Sequence, residues 1–281
     1  AQGETVAYWP MSKVTVDGVD KVRCAVSPQN DLLVNEPAVV FSDNDIGWNL
    51  PPNPDTTGAA ALAGGFLVDQ KMTVANPSRV GVLASDCASL ASSLSAGRDF
   101  TVEGWAKFTA LPGSGSEKVI AYNTLAEPGG WMWSLNRKED SDTLRIYVEL
   151  HDDYDYRHLY LAEDLTDAEI KDAWHHYALA YQQATGVWSF YLDGVLRDSG
   201  RAPKEKFDTV PTSFLNPMIC FFGAGSSVAK SLVGDATCWR VSDRKLDASG
   251  LLYGSGTGCV VPYPAATKTL AYWKLDNTDE G

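Results

Sequence analysis

The stretch from Trp174 to Gly194 constrains the fold more than any other part of this sequence, because its side chains alternate in character. Successive side chains of a strand point to opposite faces, so this alternation predicts two paired strands with one buried and one solvent-facing side. The buried set is predicted to be Tyr177, Leu179, Tyr181, Trp188, Phe190 and Leu192. The wetter set is predicted to be His176, Ala178, Ala180, Gln182, Ser189 and Tyr191.

The dipeptide Thr185-Gly186 predicts a two-residue turn between these strands, because glycine adopts positive φ without strain. Such a turn sets the register of the hairpin. It would place Tyr181 opposite Phe190 and Leu179 opposite Leu192.

An earlier strand is predicted over Phe100–Phe108. Strict alternation would place Trp105 on the polar side of this strand, together with Glu103 and Lys107. A bulge at Gly104 would return the indole toward the core, and we treat this bulge as the expectation to be tested.

Length and composition favour a large β domain and exclude some functions. The chain has 281 residues, of which 44% are hydrophobic, enough for one large all-β domain or two small ones. No apolar run approaches the roughly 20 residues that a membrane-spanning helix requires. The net charge of −13 argues against a nucleic-acid partner, which would require a basic surface.

The five cysteines include no CxxC pair, so no structural zinc site is expected. Cys220 and Cys238 lie on successive apolar runs. They either oppose each other across a hairpin as a disulfide or are two small buried residues. Between the strands, Thr166-Asp167-Ala168-Glu169 is a capping box and predicts one or two helical turns.

Three segments, in order along the chain, resemble strands of laminin G-like domains in the concanavalin A-like lectin/glucanase superfamily. They are Thr5–Met11 (TVAYWPM), Phe100–Phe108 (FTVEGWAKF) and Trp174–Gly194 (WHHYALAY, a turn, then YLDG). The resemblance implies an all-β jelly roll, a sandwich of two antiparallel sheets.

The predicted jelly-roll domain covers residues 1–253, followed by a Gly-, Ser-, Thr- and Pro-rich linker over 254–268. Residues 269–281 begin with Thr269–Asp276 (TLAYWKLD), which echoes Thr5–Ser12 (TVAYWPMS). This echo is either the start of a second copy of the domain or the closing strand of the first.

The resemblance also implies a function: a non-catalytic extracellular recognition module, secreted or at the cell surface, within a larger multidomain protein. Its partner would be a carbohydrate or a surface protein. The alternatives are a sandwich-fold glycoside hydrolase or lyase, and a structural spacer in a surface protein.

Sugar binding requires aromatic rings beside polar groups, and both occur near predicted loops. The candidate ligand-binding residues are Trp48, Trp131, Trp133, Asp152, Tyr154, Tyr156 and Arg157. Hydrolysis instead requires two carboxylates flanking the scissile bond. Glu149 and Asp152 are three residues apart and fall on opposite faces of a regular strand, and Asp155 joins them only through a bulge. The expectation is therefore a binding module and not an enzyme.

Calcium is the cofactor that the resemblance implies, and it prefers oxygen ligands. Asp235 matches the acidic residue that precedes the family's late strand, and Asp43 and Asp45 lie in an oxygen-rich run. Ser12 departs from the acidic residue that follows the family's opening strand. The adjacent pair His175-His176 is not expected to bind one ion, because neighbours on a strand point to opposite faces.

Overall fold

The computed structural model describes residues 5–9, 13–22, 32–35, 39–43, 70–74, 79–83, 98–123, 130–151, 156–201, 218–221 and 230–253. These residues form two antiparallel β-sheets and one helical turn. Buried side chains of both sheets share a single hydrophobic core, so the molecule is a β-sandwich and the predicted fold class is confirmed.

The strands, in chain order, are β1 (Thr5–Trp9), β2 (Lys13–Val16), β3 (Val19–Val22), β4 (Leu32–Asn35), β5 (Val39–Asp43), β6 (Gln70–Val74), β7 (Arg79–Leu83), β8 (Phe100–Ala110), β9 (Glu117–Asn123), β10 (Trp131–Arg137), β11 (Leu144–His151), β12 (Tyr156–Leu165), β13 (Trp174–Gln182), β14 (Val187–Leu192), β15 (Val195–Arg201), β16 (Met218–Phe221) and β17 (Val233–Ser242). A single helical turn, α1 (Asp167–Ile170), connects β12 to β13.

The first sheet has the strand order β15-β14-β13-β8-β17-β6-β5, with β1 also paired to β17. The second sheet has the order β12-β11-β10-β9-β16-β7-β4-β3-β2. Each sheet therefore has one side facing the shared core and one outer side. The outer sides are where a ligand would meet the sheets.

The β13–β14 hairpin has the predicted inner face but not the predicted register. Tyr181 pairs with Trp188 and Leu179 with Phe190. The predicted pairs are wrong because the strands are joined by four residues, with the Gly186 N–H donating to the Gln182 carbonyl at 2.8 Å. The register differs from the predicted one by two residues, and a shift of two leaves every side chain on its face.

Aromatic rings from both sheets fill the core. Phe100 of the first sheet stacks on Trp131 of the second with ring centroids 5.2 Å apart. Trp133 packs against Trp239 in a tilted arrangement with ring centroids 6.1 Å apart, and both indoles are 0% exposed. Ring pairs of this kind add to the free energy of burial. Aromatic contacts between the two sheets therefore hold the sandwich together.

Gly104 makes room for Trp239 and is not a bulge. Strand β8 pairs with β13 without interruption from Phe100 to Lys107, so the predicted bulge is wrong. The irregularity lies in β17, where Cys238 has φ +54° and Trp239 turns inward. A Cβ on Gly104 would lie 2.4 Å from the Trp239 ring. The missing side chain is the reason that this indole fits.

Residues 243–253, which we call the covering segment, lie over the outer side of β8, β13 and β14. Leu251 joins Ala178, Ala180 and Tyr191 in a second buried cluster. The prediction that this outer side meets solvent is therefore wrong. The reason is tertiary: the chain beyond β17 folds back over the small residues of β13, and Trp105 is covered there by Tyr253 at 5.7 Å.

A buried ionic network attaches the covering segment to the sheet. Glu103, 0% exposed, accepts hydrogen bonds from Arg240 Nε at 2.7 Å and from the Leu252 N–H at 2.7 Å. Arg240 also donates to the Gly250 carbonyl at 2.7 Å, and His176 Nε2 lies 3.0 Å from Glu103 Oε2. Burial acts to raise the pKa of Glu103, but Arg240 and His176 hold it below its ordinary value.

The capping box is half formed. Thr166 accepts from the Glu169 N–H at 3.3 Å, which confirms the predicted helix start. The Glu169 carboxylate pairs with Arg197 of β15 and so does not return to Thr166. A tertiary ion pair replaces the second bond of the box.

The two cysteines expected to face each other across a hairpin belong to different sheets. Cys220 is in β16 of the second sheet and Cys238 in β17 of the first. Cys238 is disulfide-bonded. The side chains of the other four cysteines lie outside the described part of the chain, as do the linker over 254–268 and the echo over 269–276.

Replacing Gly104 with alanine should destabilise the sandwich, because the new methyl group would overlap the enclosed Trp239 ring. We expect a loss of about 1–3 kcal/mol in the free energy of unfolding, measured by urea denaturation. Gly113→Ala is the matched control, since its Cβ would meet nothing closer than Ser116 Oγ at 3.7 Å. Equal stability of the two variants would contradict this packing.

Replacing Glu103 with glutamine should cost about 3–5 kcal/mol at pH 7, because it leaves the buried Arg240 uncompensated. Since the folded-state pKa of Glu103 is lowered, its contribution is complete above the unfolded-state value of about 4.3 and is lost as the pH falls through the folded value. The difference in the free energy of unfolding between wild type and Glu103→Gln should therefore decrease below pH 4, by about 1.4 kcal/mol per pH unit.

The measurement is urea denaturation at pH 7 and at pH 3.5. The exposed Glu139→Gln is the control for loss of one carboxylate. If the difference in the free energy of unfolding between wild type and Glu103→Gln increases on acidification, the ionised Glu103 is not the source of this stability.

Candidate functional site

The outer side of β10, β11 and β12 is polar and aromatic, in contrast to the covered outer side of the first sheet. Register and alternation bring seven side chains together there, which we call the tyrosine face: Asn136, Arg145, Tyr147, Glu149, His158, Tyr160 and Glu163. The alternate residues of the same strands, such as Ile146 and Val148, are buried in the core. The hydrophobic inner side thus fixes the direction of the outer one.

Two tyrosines form the centre of this face. Tyr147 and Tyr160 occupy one rung of β11 and β12 and stack with ring centroids 5.3 Å apart. His158 meets the edge of Tyr147 at 5.4 Å. Tyr147 is buried, Tyr160 is half-buried and His158 is exposed, so the accessible ring surface belongs to His158 and to part of Tyr160.

Arg145 is held rigidly beside the rings. Its guanidinium carbon lies 3.6 Å from the Tyr160 centroid, as in a cation–π contact. Its Nε donates to Asn136 Oδ1 at 2.8 Å, and its Nη1 lies 3.6 Å from Glu163 Oε2. A planar group with three partners keeps one orientation.

The Tyr147 hydroxyl orients Glu149, donating to its Oε2 at 2.7 Å. Burial, with added contributions from Glu149 and Glu117, raises the pKa of Tyr147 far above its ordinary value. The phenol therefore remains a donor at every physiological pH. Glu149 is left as an oriented hydrogen-bond acceptor on the face.

Buried residues flank Tyr147 on the same outer side of the sheet. Val119 and Met132 pack against it there. Next to them, Glu117 accepts from Ser134 Oγ at 2.8 Å and pairs with Lys230 Nζ at 2.6 Å. Val119, Met132 and Ser134 are at most 2% exposed, so the outer side is covered at β9 and β10 and the accessible part of the face lies on β11 and β12.

Glu117 and Glu149 do not form a hydrolytic pair. They lie two strands apart, about 10 Å, and the register separates them by four further residues, about 13 Å along the strands. Glycoside hydrolysis requires carboxylates roughly 5–9.5 Å apart. Both oxygens of Glu117 are also engaged by Ser134 and Lys230. This geometry suits ligand binding better than bond cleavage.

Trp131 and Trp133 are wrong as ligand-binding residues. They are 1% and 0% exposed and pack in the core against Phe100 and Trp239. The sequence places both beside loops, but β10 alternates with its tryptophans inward and Met132 and Ser134 outward. The two tryptophans expected at the surface therefore pack in the core of the sandwich.

The remaining predicted ligand residues are not tested by the structure. Trp48, Asp152 and Tyr154 lie outside the described ranges. Tyr156 and Arg157 begin β12, opposite His151 and Leu150, and their side chains are outside the described part. These residues stay predictions.

The predicted metal ligands do not meet in one place. Asp235 Oδ2 lies 2.9 Å from Lys107 Nζ, so an ammonium already neutralises it. Asp43 is two strands away and three residues further along, roughly 14 Å by the ladder spacing. Asp45 lies outside the described residues. Asp235 and Asp43 therefore do not fit a shared calcium site.

No cluster of three or more His, Cys, Asp or Glu side chains suited to a metal ion occurs among the residues that the structure describes. His175 and His176 have separate carboxylate partners, as expected of neighbours on a strand. His175 Nδ1 lies 2.7 Å from Asp193, whereas His176 faces Glu103. Calcium binding by this chain stays a prediction.

None of the seven residues of the tyrosine face is among the candidate ligand-binding residues that the sequence indicated. The signal was present for β11, where Arg145, Tyr147 and Glu149 alternate with apolar residues. Extending the same alternation into β12 would have selected His158 and Tyr160. What sequence could not supply is the pairing of β12 with β11, which places the two tyrosines on one rung.

The family model for the concanavalin A-like lectin/glucanases superfamily matches residues 83–250, more than half of the chain. The chain belongs to this superfamily. The match includes the tyrosine face, both hairpin strands and most of the covering segment. The predicted superfamily is thus confirmed, and the match contains two of the three resembling segments, Phe100–Phe108 and Trp174–Gly194.

Solved structures resemble this chain at low sequence identity. Domain 4 of AbnA, a GH43 extracellular arabinanase from Geobacillus stearothermophilus, in complex with arabinotriose, has 11% identity and a TM-score of 0.57, covering 92% of this chain and 100% of that chain. The Ruminococcus gnavus IT-sialidase CBM40 has 12% identity and a TM-score of 0.46, covering 67% and 95%. A heptameric SAP-like pentraxin from Limulus polyphemus has 12% identity and a TM-score of 0.40, covering 57% and 68%.

A comparison with curated proteins finds no match. Within the described ranges, no helix has the length and apolar character to cross a bilayer.

Replacing Asp235 with asparagine should not change any stabilisation by calcium, because its carboxylate is paired with Lys107 and stands apart from Asp43. The measurement is the shift in melting temperature between 1 mM EDTA and roughly 1 mM free Ca²⁺, a concentration in the range of extracellular calcium modules. Wild type is the control. A calcium shift that is present in wild type and lost in Asp235→Asn would restore Asp235 as a ligand.

Proposed function

We propose that this chain is a non-catalytic carbohydrate-recognition module and that the tyrosine face is its binding site. The observation that carries this proposal is the stacked Tyr147–Tyr160 pair, bordered by Arg145, Glu149 and His158 on an outer sheet side. A flat ring can cover the apolar face of a sugar, and oriented carboxylate, amide and guanidinium groups can bond its hydroxyls.

The covered first sheet supports the choice of face. Its outer side buries Glu103, His176 and Arg240 beneath the covering segment, so a ligand would have to displace a bonded network to reach it. The tyrosine face requires no such rearrangement of its described residues. A solved structure with this fold is a domain in complex with arabinotriose, which fits a role in glycan recognition.

The disulfide at Cys238 supports an extracellular location, because disulfides persist in oxidising compartments. We therefore propose a secreted or cell-surface protein in which this module contributes recognition. A surface protein is the alternative ligand, and it would give protein binding without glycan binding in the test that follows.

Replacing Tyr160 with alanine should weaken glycan binding about tenfold, equivalent to about 1.4 kcal/mol, because it removes the ring that holds the Arg145 guanidinium and packs on Tyr147 at the centre of the face. Tyr160→Phe is the matched control: it keeps the ring and should stay within about threefold of wild type. The measurement is isothermal titration calorimetry with glycans selected from an array, in calcium and in EDTA.

Circular dichroism should show that both variants keep the fold. If no glycan on the array binds wild type in either buffer, the proposal fails. If Tyr160→Ala binds as tightly as wild type, the site lies elsewhere.

A further inference from the structure

We propose that the tyrosine face selects neutral glycans over anionic ones. This inference rests on the proposed function and adds the class of ligand. It follows from the charges on the face and from how they are paired.

Among the residues that the structure describes, the charged side chains on and beside the face balance one another. The cations are Lys138, Arg145 and Lys230, and the carboxylates are Glu117, Glu149 and Glu163. Three positive and three negative groups leave no excess charge for an anionic sugar. Strand register assigns Lys118 to the rung of Leu135, an inner residue, so it adds no cation to this face.

Each of these cations already has a carboxylate partner. Glu163 Oε2 lies 2.9 Å from Lys138 Nζ and 3.6 Å from Arg145 Nη1, so one oxygen serves two cations. Lys230 is paired to Glu117 at 2.6 Å. The hydrogen bond from Lys138, together with Arg145, lowers the pKa of Glu163 below its ordinary value, so the carboxylate is ionised at neutral pH.

Binding a sugar carboxylate or sulfate normally uses an Arg or Lys in a charge-assisted hydrogen bond. Here that bond would have to be made in competition with Glu163 or Glu117. The chain as a whole carries −13, which repels an anionic ligand over the Debye length of roughly 8–10 Å. Both the local and the overall charge therefore oppose an acidic glycan.

Neutral sugars meet no such opposition. Glu149, oriented by the Tyr147 hydroxyl, can accept from sugar hydroxyl groups, and the exposed His158 ring can contact the apolar face of a pyranose or furanose. Charged acceptors form strong hydrogen bonds with hydroxyl donors. The face therefore has an acceptor and ring contacts for neutral sugars, but no cation without a carboxylate partner among its described groups for anionic ones.

The test compares matched pairs of glycans on the full chain: lactose with sialyllactose, and galacto-oligosaccharides with oligogalacturonides of equal length. Calorimetry is carried out at one fixed, mildly alkaline pH for every pair. We expect the neutral member of a pair to bind at least tenfold more tightly than the anionic member at 50 mM salt. The affinity for the neutral member should change little at 300 mM salt.

Glu163→Gln is the informative variant, because it releases Lys138 and Arg145 from their shared carboxylate. It should raise affinity for the anionic member about fivefold or more at 50 mM salt, and 300 mM salt should abolish the gain. Asp172→Asn is the control: it removes one exposed carboxylate between α1 and β13, at φ +60°, a conformation that asparagine tolerates.

Three outcomes separate the two proposals. Tighter, salt-sensitive binding of the anionic member by wild type overturns the charge selectivity and leaves glycan recognition in place. If Glu163→Gln gains no more affinity for the anionic member than Asp172→Asn does, ion pairing is not the cause of the selectivity. Binding of neither member of any pair in the array overturns glycan recognition itself.

Discussion

The buried contact between Glu103 and Arg240 is the constraint on which the rest of this structure depends. A carboxylate with 0% exposure has to be compensated, and here an arginine, a histidine and a backbone N–H surround it. Two of these bonds reach into residues 250 and 252. The charge therefore does more than pair two strands, because it holds the end of the domain against the outer side of the first sheet.

This attachment turns a two-layer sandwich into one with a third layer over part of its surface. Ala178 and Ala180 are small enough for Leu251 to settle on them, and Trp105 is enclosed by Tyr253. An outer sheet side that would otherwise be available to a ligand becomes interior. The two sheets therefore differ: the outer side of the first is covered by residues 243–253, and the outer side of the second carries the tyrosine face.

On the second sheet, local charge balance and ring stacking define a surface with little mobility among its described groups. Arg145 is restrained by an amide, a carboxylate and a ring, and Tyr147 by buried neighbours and Glu149. Rigid, preorganised groups lose less entropy on binding than mobile ones. The same restraint that suits recognition leaves Glu117 and Glu149 too far apart for hydrolysis.

Alternation in the sequence determined the strands, the fold class and the membership of the inner face, because side-chain direction in a strand depends only on parity. That is why the faces of the Trp174–Gly194 hairpin were predicted correctly even though its register was not. The helix start at Thr166 followed from another local pattern, the capping box.

Tertiary structure alone decided which side of each sheet stays open. No local pattern shows that residues 243–253 return to cover β13, that Gly104 leaves space for Trp239, or that Trp131 and Trp133 are needed by the core. These outcomes depend on contacts between residues far apart in the chain. The position of Tyr160 beside Tyr147 is likewise a matter of strand pairing, which parity cannot specify.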